Sequence, residues 1–135
     1  MAKDYKIFIS HSWAHTEDLD ALQKLLNSRG YFRVEFMEAS KKVPINSENA
    51  PYIKSVLKQR IESSDIVLAL AGIYASHSEW MIWELETAKN SAIPVIGVIP
   101  RGQERISNEV FSRSIVDVKW NTESIVEAIR TYAKK

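Results

Sequence analysis

The chain contains no cysteine, little glycine and proline, almost no net charge and no long apolar run. Without cysteine it has no disulfide framework, no thiolate nucleophile and no cysteine-based metal site. Eighteen basic against seventeen acidic residues leave a formal charge of +1. This balance lacks the basic field of a dedicated nucleic-acid binder, so we expect no nucleic-acid partner. The longest apolar stretch, residues 93–100, is far shorter than a membrane span, so we expect no membrane association either.

The remaining composition is that of a globular protein. The 135 residues are 45% hydrophobic and 26% charged, and a chain of this length suits one domain, which we expect to span residues 1–135. The polar residues 1–6 lead directly into a strand-like segment, so we expect no signal peptide and a cytoplasmic location.

Strand-like and helix-like segments alternate along the chain. Short apolar, β-branched segments predict strands over residues 5–9, 32–37, 66–71, 94–99 and 114–120. Helical spacing predicts helices over residues 17–28, 51–61, 79–90, within 103–113 and over 122–132, and the buried face of the second comprises Ile53, Val56, Leu57 and Ile61. The alternation predicts an α/β protein of flavodoxin-like type, a three-layer sandwich. Its five-stranded parallel sheet has the order 2-1-3-4-5, with helices on both faces.

An open parallel sheet binds ligands beyond the carboxyl ends of its strands, where the strand order reverses. Here the ends of the first and third strands carry residues 10–13 and 71–72, and the long polar segment 38–50 follows the second strand. Long segments of this kind are often functional in small domains. We therefore look for the site among these three segments.

Several familiar site motifs are missing from the sequence. No GxGxxG or GxxxxGK[ST] motif follows a strand, and no GxSxG motif occurs. The three histidines His11, His15 and His77 are too few and too scattered for a metal site, so we expect no metal. A carboxylate remains as the main chemical candidate.

Trp80 and Glu84 stand four residues apart, on one face of the third predicted helix. The tryptophan would give the acid an apolar wall that can raise its pKa and hold its rotamer. The alternative is that Trp80 belongs to the core while Glu84 pairs with Lys or Arg on the surface. Spacing alone favours that alternative.

Four segments together resemble the TIR domain, in particular the TIR-like domain of bacterial Thoeris B proteins. Residues 7–11 are similar to the family's F-I-S-x opening, and residues 38–50 fall where TIR domains have their BB loop. Residues 64–68 resemble the third strand, and residues 78–85 resemble the W-x-x-x-E helix. The resemblance covers residues 6–132, nearly the whole chain.

The resemblance implies an enzyme that cleaves the nicotinamide–ribose bond of NAD+. It is of the NAD+ glycohydrolase and cyclic ADP-ribose synthase type, a hydrolase with NAD+ as substrate and no separate cofactor. Thoeris-type members make a cyclic ADP-ribose isomer that activates a separate effector in anti-phage defence. On this reading Glu84 is the catalytic residue, and the substrate-binding residues are Ser10, His11, Ser12, Trp80, Lys41 and Lys42.

Two of these assignments have simpler alternatives. His11 can instead hydrogen-bond backbone at the strand end, and Lys41 and Lys42 can be solvated surface residues rather than diphosphate partners. The whole chain also has an alternative reading, because many TIR domains are scaffolds without catalysis. It would then act by self-association through TIR–TIR contacts and by recruiting another TIR protein. The enzyme reading expects NAD+ as partner, a possible homo-oligomer and an effector reached through a diffusible product.

Overall fold

The computed structural model describes residues 4–10, 17–29, 33–38, 48, 50–70, 79–99 and 108–133. These residues form a parallel sheet in the order β2-β1-β3-β4-β5. The strands are β1 Asp4–Ser10, β2 Arg33–Glu38, β3 Ile66–Leu70, β4 Val95–Val98 and β5 Val116–Val118. The helices are α1 Glu17–Arg29, α2 Ala50–Glu62, α3 Glu79–Asn90, α4 Asn108–Phe111 and α5 Thr122–Tyr132.

The helices cover both faces of the sheet, which gives three layers. Alternate side chains of a strand point to opposite faces, so each face has its own apolar cluster. One cluster packs the sheet against α1 and α5, through Ile7, Ile9, Leu22, Leu26, Ile66, Leu68, Ile96, Ile125 and Ile129. The other packs it against α2, α3 and α4, through Phe8, Leu57, Ile61, Val67, Val95, Trp80, Met81, Leu85 and Val110. We call the second face the α3 face.

The predicted α/β architecture, a parallel sheet with helices, is confirmed. The observed strand order is the order expected from the sequence. The central strand β3 is buried at every position, as its continuous apolar run predicts. Within the described ranges, no helix is both long and apolar enough to cross a membrane.

Two local predictions were wrong in detail. Ile53 and Val56 are half-buried, and only Leu57 and Ile61 of the expected α2 face are buried, because Ile53 lies at the edge of its cluster. The last strand covers only three of the seven predicted residues. Ser114 is instead held in the turn after α4, since its backbone N–H donates to the Val110 carbonyl.

Helix α5 begins with a side-chain cap. Asn121 has extended backbone angles, and its side-chain oxygen accepts a hydrogen bond of 3.0 Å from the Ser124 N–H. This bond satisfies a donor that the first turn of a helix leaves without a partner. The helix then buries Ile125, Val126, Ala128 and Ile129 against the sheet face opposite α3.

Candidate functional site

Strand β1 delivers Ser10 to the α3 face at its carboxyl end. Phe8 belongs to the apolar cluster of this face, while Ile7 and Ile9 belong to the cluster of the opposite face. Ser10 is two residues beyond Phe8, so it shares the same face. Its side chain is fully buried, at 0% exposure. The strand therefore places a hydroxyl group beneath the helical layer.

Helix α3 places Glu84 beside Ser10, at the carboxyl end of β1. Its buried positions are Trp80, Met81, Glu84, Leu85 and Ala88, which is the stripe that a 3.6-residue period places on one side of a helix. Glu84 lies in the middle of this stripe and is 0% exposed. The alternative that placed Glu84 on the surface is therefore wrong, whereas Trp80 does belong to the buried cluster at 9% exposure.

A short hydrogen bond joins the two buried groups. The Ser10 hydroxyl donates to Glu84 Oε1 over 2.8 Å, across 74 positions of sequence. Burial of a carboxylate disfavours its charged form, and a hydrogen bond to that form offsets part of the cost. Bonds to charged groups typically contribute about 1.5–3 kcal/mol. The bond connects β1 to α3 and fixes the position of one carboxylate oxygen.

Small residues in the sheet leave room for this pair. Ser10 pairs laterally with Ala69 of β3, and Ala69 pairs with Gly97 of β4. Two positions earlier on the same face, the corresponding row is formed by Phe8, Val67 and Val95. The sheet therefore changes from large to small side chains as its strands approach their carboxyl ends. This row, Ser10–Ala69–Gly97, is called the small-residue row below.

Two tryptophans of α3 and a lysine of α2 lie close together between these two helices. Trp83 meets Trp80 edge to face, with ring centroids 5.9 Å apart, and it packs against the α3-face cluster. The Lys54 ammonium of α2 lies 6.0 Å from the Trp83 ring centroid, at the outer limit of a cation–π contact. Trp83 thus fills the space between α2 and α3 and supports Trp80, which lies one helical turn before Glu84.

The other predicted site residues lie outside the part of the chain that the structure describes. These are His11, Ser12, Lys41 and Lys42, together with all of segment 38–50 except Glu38, Glu48 and Ala50. Their assignment to substrate binding remains a prediction. Of the predicted set, the structure brings together Ser10, Trp80 and Glu84.

A cavity of about 300 Å³ opens at the opposite edge of the sheet, at the amino ends of β4 and β5. Its two charged side chains are Lys89 and Arg113, and Arg113 Nε donates to Glu86 Oε1 over 2.7 Å. The remaining walls are Ala92, Ile93, Pro94, Val95 and Ile115. Because ligands of parallel sheets bind at the carboxyl ends, and Ser10 and Glu84 lie there, we place the candidate site at Glu84 and not in this cavity.

The small-residue row was not predicted from the sequence. Its signal was present, because Ala69 and Gly97 interrupt the large apolar residues of β3 and β4. Reading that signal required the register between strands, which places the two residues beside Ser10. The contact between Ser10 and Glu84 carried no local signal at all, since the residues are far apart in sequence.

Solved structures share the fold at low sequence identity. A 2-deoxyribosyltransferase from the psychrotolerant bacterium Bacillus psychrosaccharolyticus is 17% identical, with a TM-score of 0.63 over 89% of each chain. A 3-dehydroquinate dehydratase-like protein from Bifidobacterium longum is 13% identical, with a TM-score of 0.52 over 98% of this chain and 95% of that one. Identities this low establish a common architecture and nothing about activity.

Comparison with curated proteins yields no match. A family model does match: the model described as "Thoeris protein ThsB, TIR-like domain" covers residues 8–105, more than half of the chain. The match includes β1 from Phe8 onward, α2, β3 and the whole of α3, and so it contains both Ser10 and Glu84. The chain therefore belongs to the TIR-like domain family of the Thoeris protein ThsB, a family of defence-related TIR proteins.

Proposed function

We propose that this protein cleaves the bond between nicotinamide and ribose in NAD+ and releases an ADP-ribose product, a cyclic isomer, as a signal in anti-phage defence. The observation that carries the proposal is the buried Glu84 carboxylate, hydrogen-bonded to Ser10 at the carboxyl ends of the strands. Membership of the Thoeris family supports the defence context.

The placement of Glu84 suits the charge that such a reaction develops. When the bond between C1′ of the ribose and the nicotinamide nitrogen breaks, both electrons leave with nicotinamide, which departs as a neutral ring. The ribose becomes an oxocarbenium-like cation. A carboxylate held away from water stabilises that cation more strongly than a solvated one, because the local dielectric constant is low.

The same carboxylate can assist the second step. A hydroxyl group attacks C1′, a new C–O bond forms, and the hydroxyl proton must be removed. Glu84 is the acceptor we assign to that proton. Attack by a hydroxyl group of the same molecule closes a ring, whereas attack by water gives linear ADP-ribose. The ratio of cyclic to linear product depends on how well water is excluded from C1′.

Full burial of Glu84 also favours a second candidate function. A carboxylate with 0% exposure that connects β1 to α3 can serve the fold alone. The protein would then be an interaction module that acts by self-association and by recruiting another TIR protein. The two functions differ in what they require of the site: catalysis requires the ribose to reach the carboxylate, and scaffolding does not.

Incubation of concentrated protein with NAD+ distinguishes the two. Chromatography of the mixture should show free nicotinamide, and mass spectrometry should show a product with the mass of ADP-ribose less one water, as a cyclic isomer requires. Light scattering on the same samples measures self-association. Self-association without nicotinamide release, at every protein concentration, would favour the interaction module and contradict the enzyme.

A further inference from the structure

We propose that Ser10 is a positioning residue that acts through Glu84 and does not serve as a ligand of the NAD+ diphosphate. The inference rests on the proposed function and refines it, since the resemblance to TIR domains placed Ser10 among the substrate contacts. The direction of one hydrogen bond distinguishes a residue that positions Glu84 from a residue that binds substrate. The Ser10 hydroxyl donates to Glu84 Oε1 over 2.8 Å, and both residues are fully buried.

A serine hydroxyl has one hydrogen to donate and lone pairs that accept. In this structure the hydrogen is directed at Glu84. The phosphate oxygens of NAD+ only accept hydrogen bonds, so a serine in this state has nothing to give them. Ser10 therefore does not serve as a diphosphate ligand while it holds Glu84.

The bond from Ser10 is one restraint on the Glu84 side chain. Glu has three side-chain torsions, and its terminal torsion is broad, so helix α3 alone does not fix where the carboxylate points. Ser10 is the last residue of β1, where it pairs with Ala69 of the buried strand β3. A hydrogen bond from a strand to a helix thus sets the carboxylate relative to the strand ends. Misplacement of a reacting group by about 1 Å can reduce rates about 10²-fold.

The small-residue row supports this role by its shape. Ala69 lies beside Ser10 in the sheet and faces α3, with only a methyl group as side chain. Glu84 meets this row at Ser10, and the neighbouring residues Ala69 and Gly97 carry no bulky side chain. Ser10 is the residue of the row that supplies a side-chain hydrogen-bond donor, and it donates to Glu84 Oε1.

Steady-state kinetics with NAD+ test the role. Ser10→Ala removes the hydroxyl group, and Ser10→Thr keeps it. The matched control is Ser64→Ala, because Ser64 is also buried, at 2% exposure, and its hydroxyl donates to the Arg60 carbonyl over 2.7 Å, away from Glu84. Thermal unfolding of each variant checks that it is folded.

If Ser10 positions Glu84, Ser10→Ala lowers kcat at least ~10-fold while KM changes less than about twofold. Ser10→Thr should recover most of kcat. Ser64→Ala should keep both constants at their wild-type values. A raised KM with unchanged kcat in Ser10→Ala would overturn the inference, because it would make Ser10 a substrate contact. Wild-type kinetics in Ser10→Ala would overturn it too and leave the proposed function standing. Wild-type protein that releases no nicotinamide would contradict the proposed function first, and the positioning role with it.

Discussion

A carboxylate in the middle of an apolar helix stripe is costly, and Glu84 is such a residue. The neighbouring buried positions of α3 are apolar, and the acid has no contact with solvent. An apolar residue of the same volume would pack there without the loss of hydration. Proteins keep costly polar groups mainly where a function or a specific pairing needs them. The hydrogen bond from Ser10 is the part of this pairing that the structure defines.

Glu84→Gln tests whether the charge itself stabilises the fold. Glutamine has the same shape and keeps an oxygen that accepts from Ser10, so we expect the free energy of unfolding to change by less than about 1 kcal/mol. Urea denaturation followed by circular dichroism measures this value. A loss above about 3 kcal/mol would mean that the charge is a structural partner in a buried network. That result would favour the interaction module.

Sheet and helix geometry together create the space for Glu84. The small-residue row lies near the strand ends, and the larger row of Phe8, Val67 and Val95 lies two residues earlier. The third helix and the shared face of Trp80 and Glu84 could be predicted from the sequence, because both follow from helical spacing. Sequence reasoning could not identify Ser10 as the partner of Glu84. That contact depends on which strand runs beneath which helix.

Ala69→Val tests the small-residue row. The added methyl groups face α3 beside Ser10, and we expect them to displace the Glu84 carboxylate. Ala88→Val is the matched control, because Ala88 is equally buried in the same cluster but lies one helical turn beyond Glu84. Both changes should cost about 1–3 kcal/mol of stability through overpacking. Only Ala69→Val should lower the rate of nicotinamide release, by at least ~10-fold.

Equal losses of rate in the two variants would contradict this expectation. They would show that crowding anywhere in the α3-face cluster impairs the protein. In that case the small-residue row would have no special relation to Glu84.

In the molecule as a whole, the two faces of the sheet have different roles. The α3 face carries the candidate site, whereas α1 and α5 pack against the other face through the apolar cluster given above. The order of the elements and the parallel sheet were predictable from the sequence. Strand-like and helix-like segments alternate along the sequence, and right-handed crossovers leave few ways to connect five strands. The last strand was less predictable. Among the described strands, β5 pairs with β4 alone, so its length depends on the turn that precedes it.

Asn121→Ala tests the separation of the two faces. Loss of the α5 cap should cost about 1 kcal/mol of stability, because the Ser124 N–H loses its side-chain acceptor. Asn121→Asp keeps an acceptor and should stay close to wild type. We expect neither change to alter nicotinamide release at a temperature where all three proteins are folded. A loss of rate in Asn121→Ala alone would show that α5 is coupled to Glu84 through the sheet.

The most direct test of the central claim is the rate of nicotinamide release from NAD+ by Glu84→Gln. Glu86→Gln is the control, because Glu86 lies on the same helix, is half-exposed and pairs with Arg113. Both variants are compared with wild-type protein at equal concentration, after circular dichroism has verified their fold. If Glu84 stabilises the ribosyl cation, Glu84→Gln lowers the rate at least ~10²-fold, and Glu86→Gln stays within about twofold of wild type. Release of nicotinamide by Glu84→Gln at the wild-type rate would contradict the assignment of Glu84 as the catalytic residue.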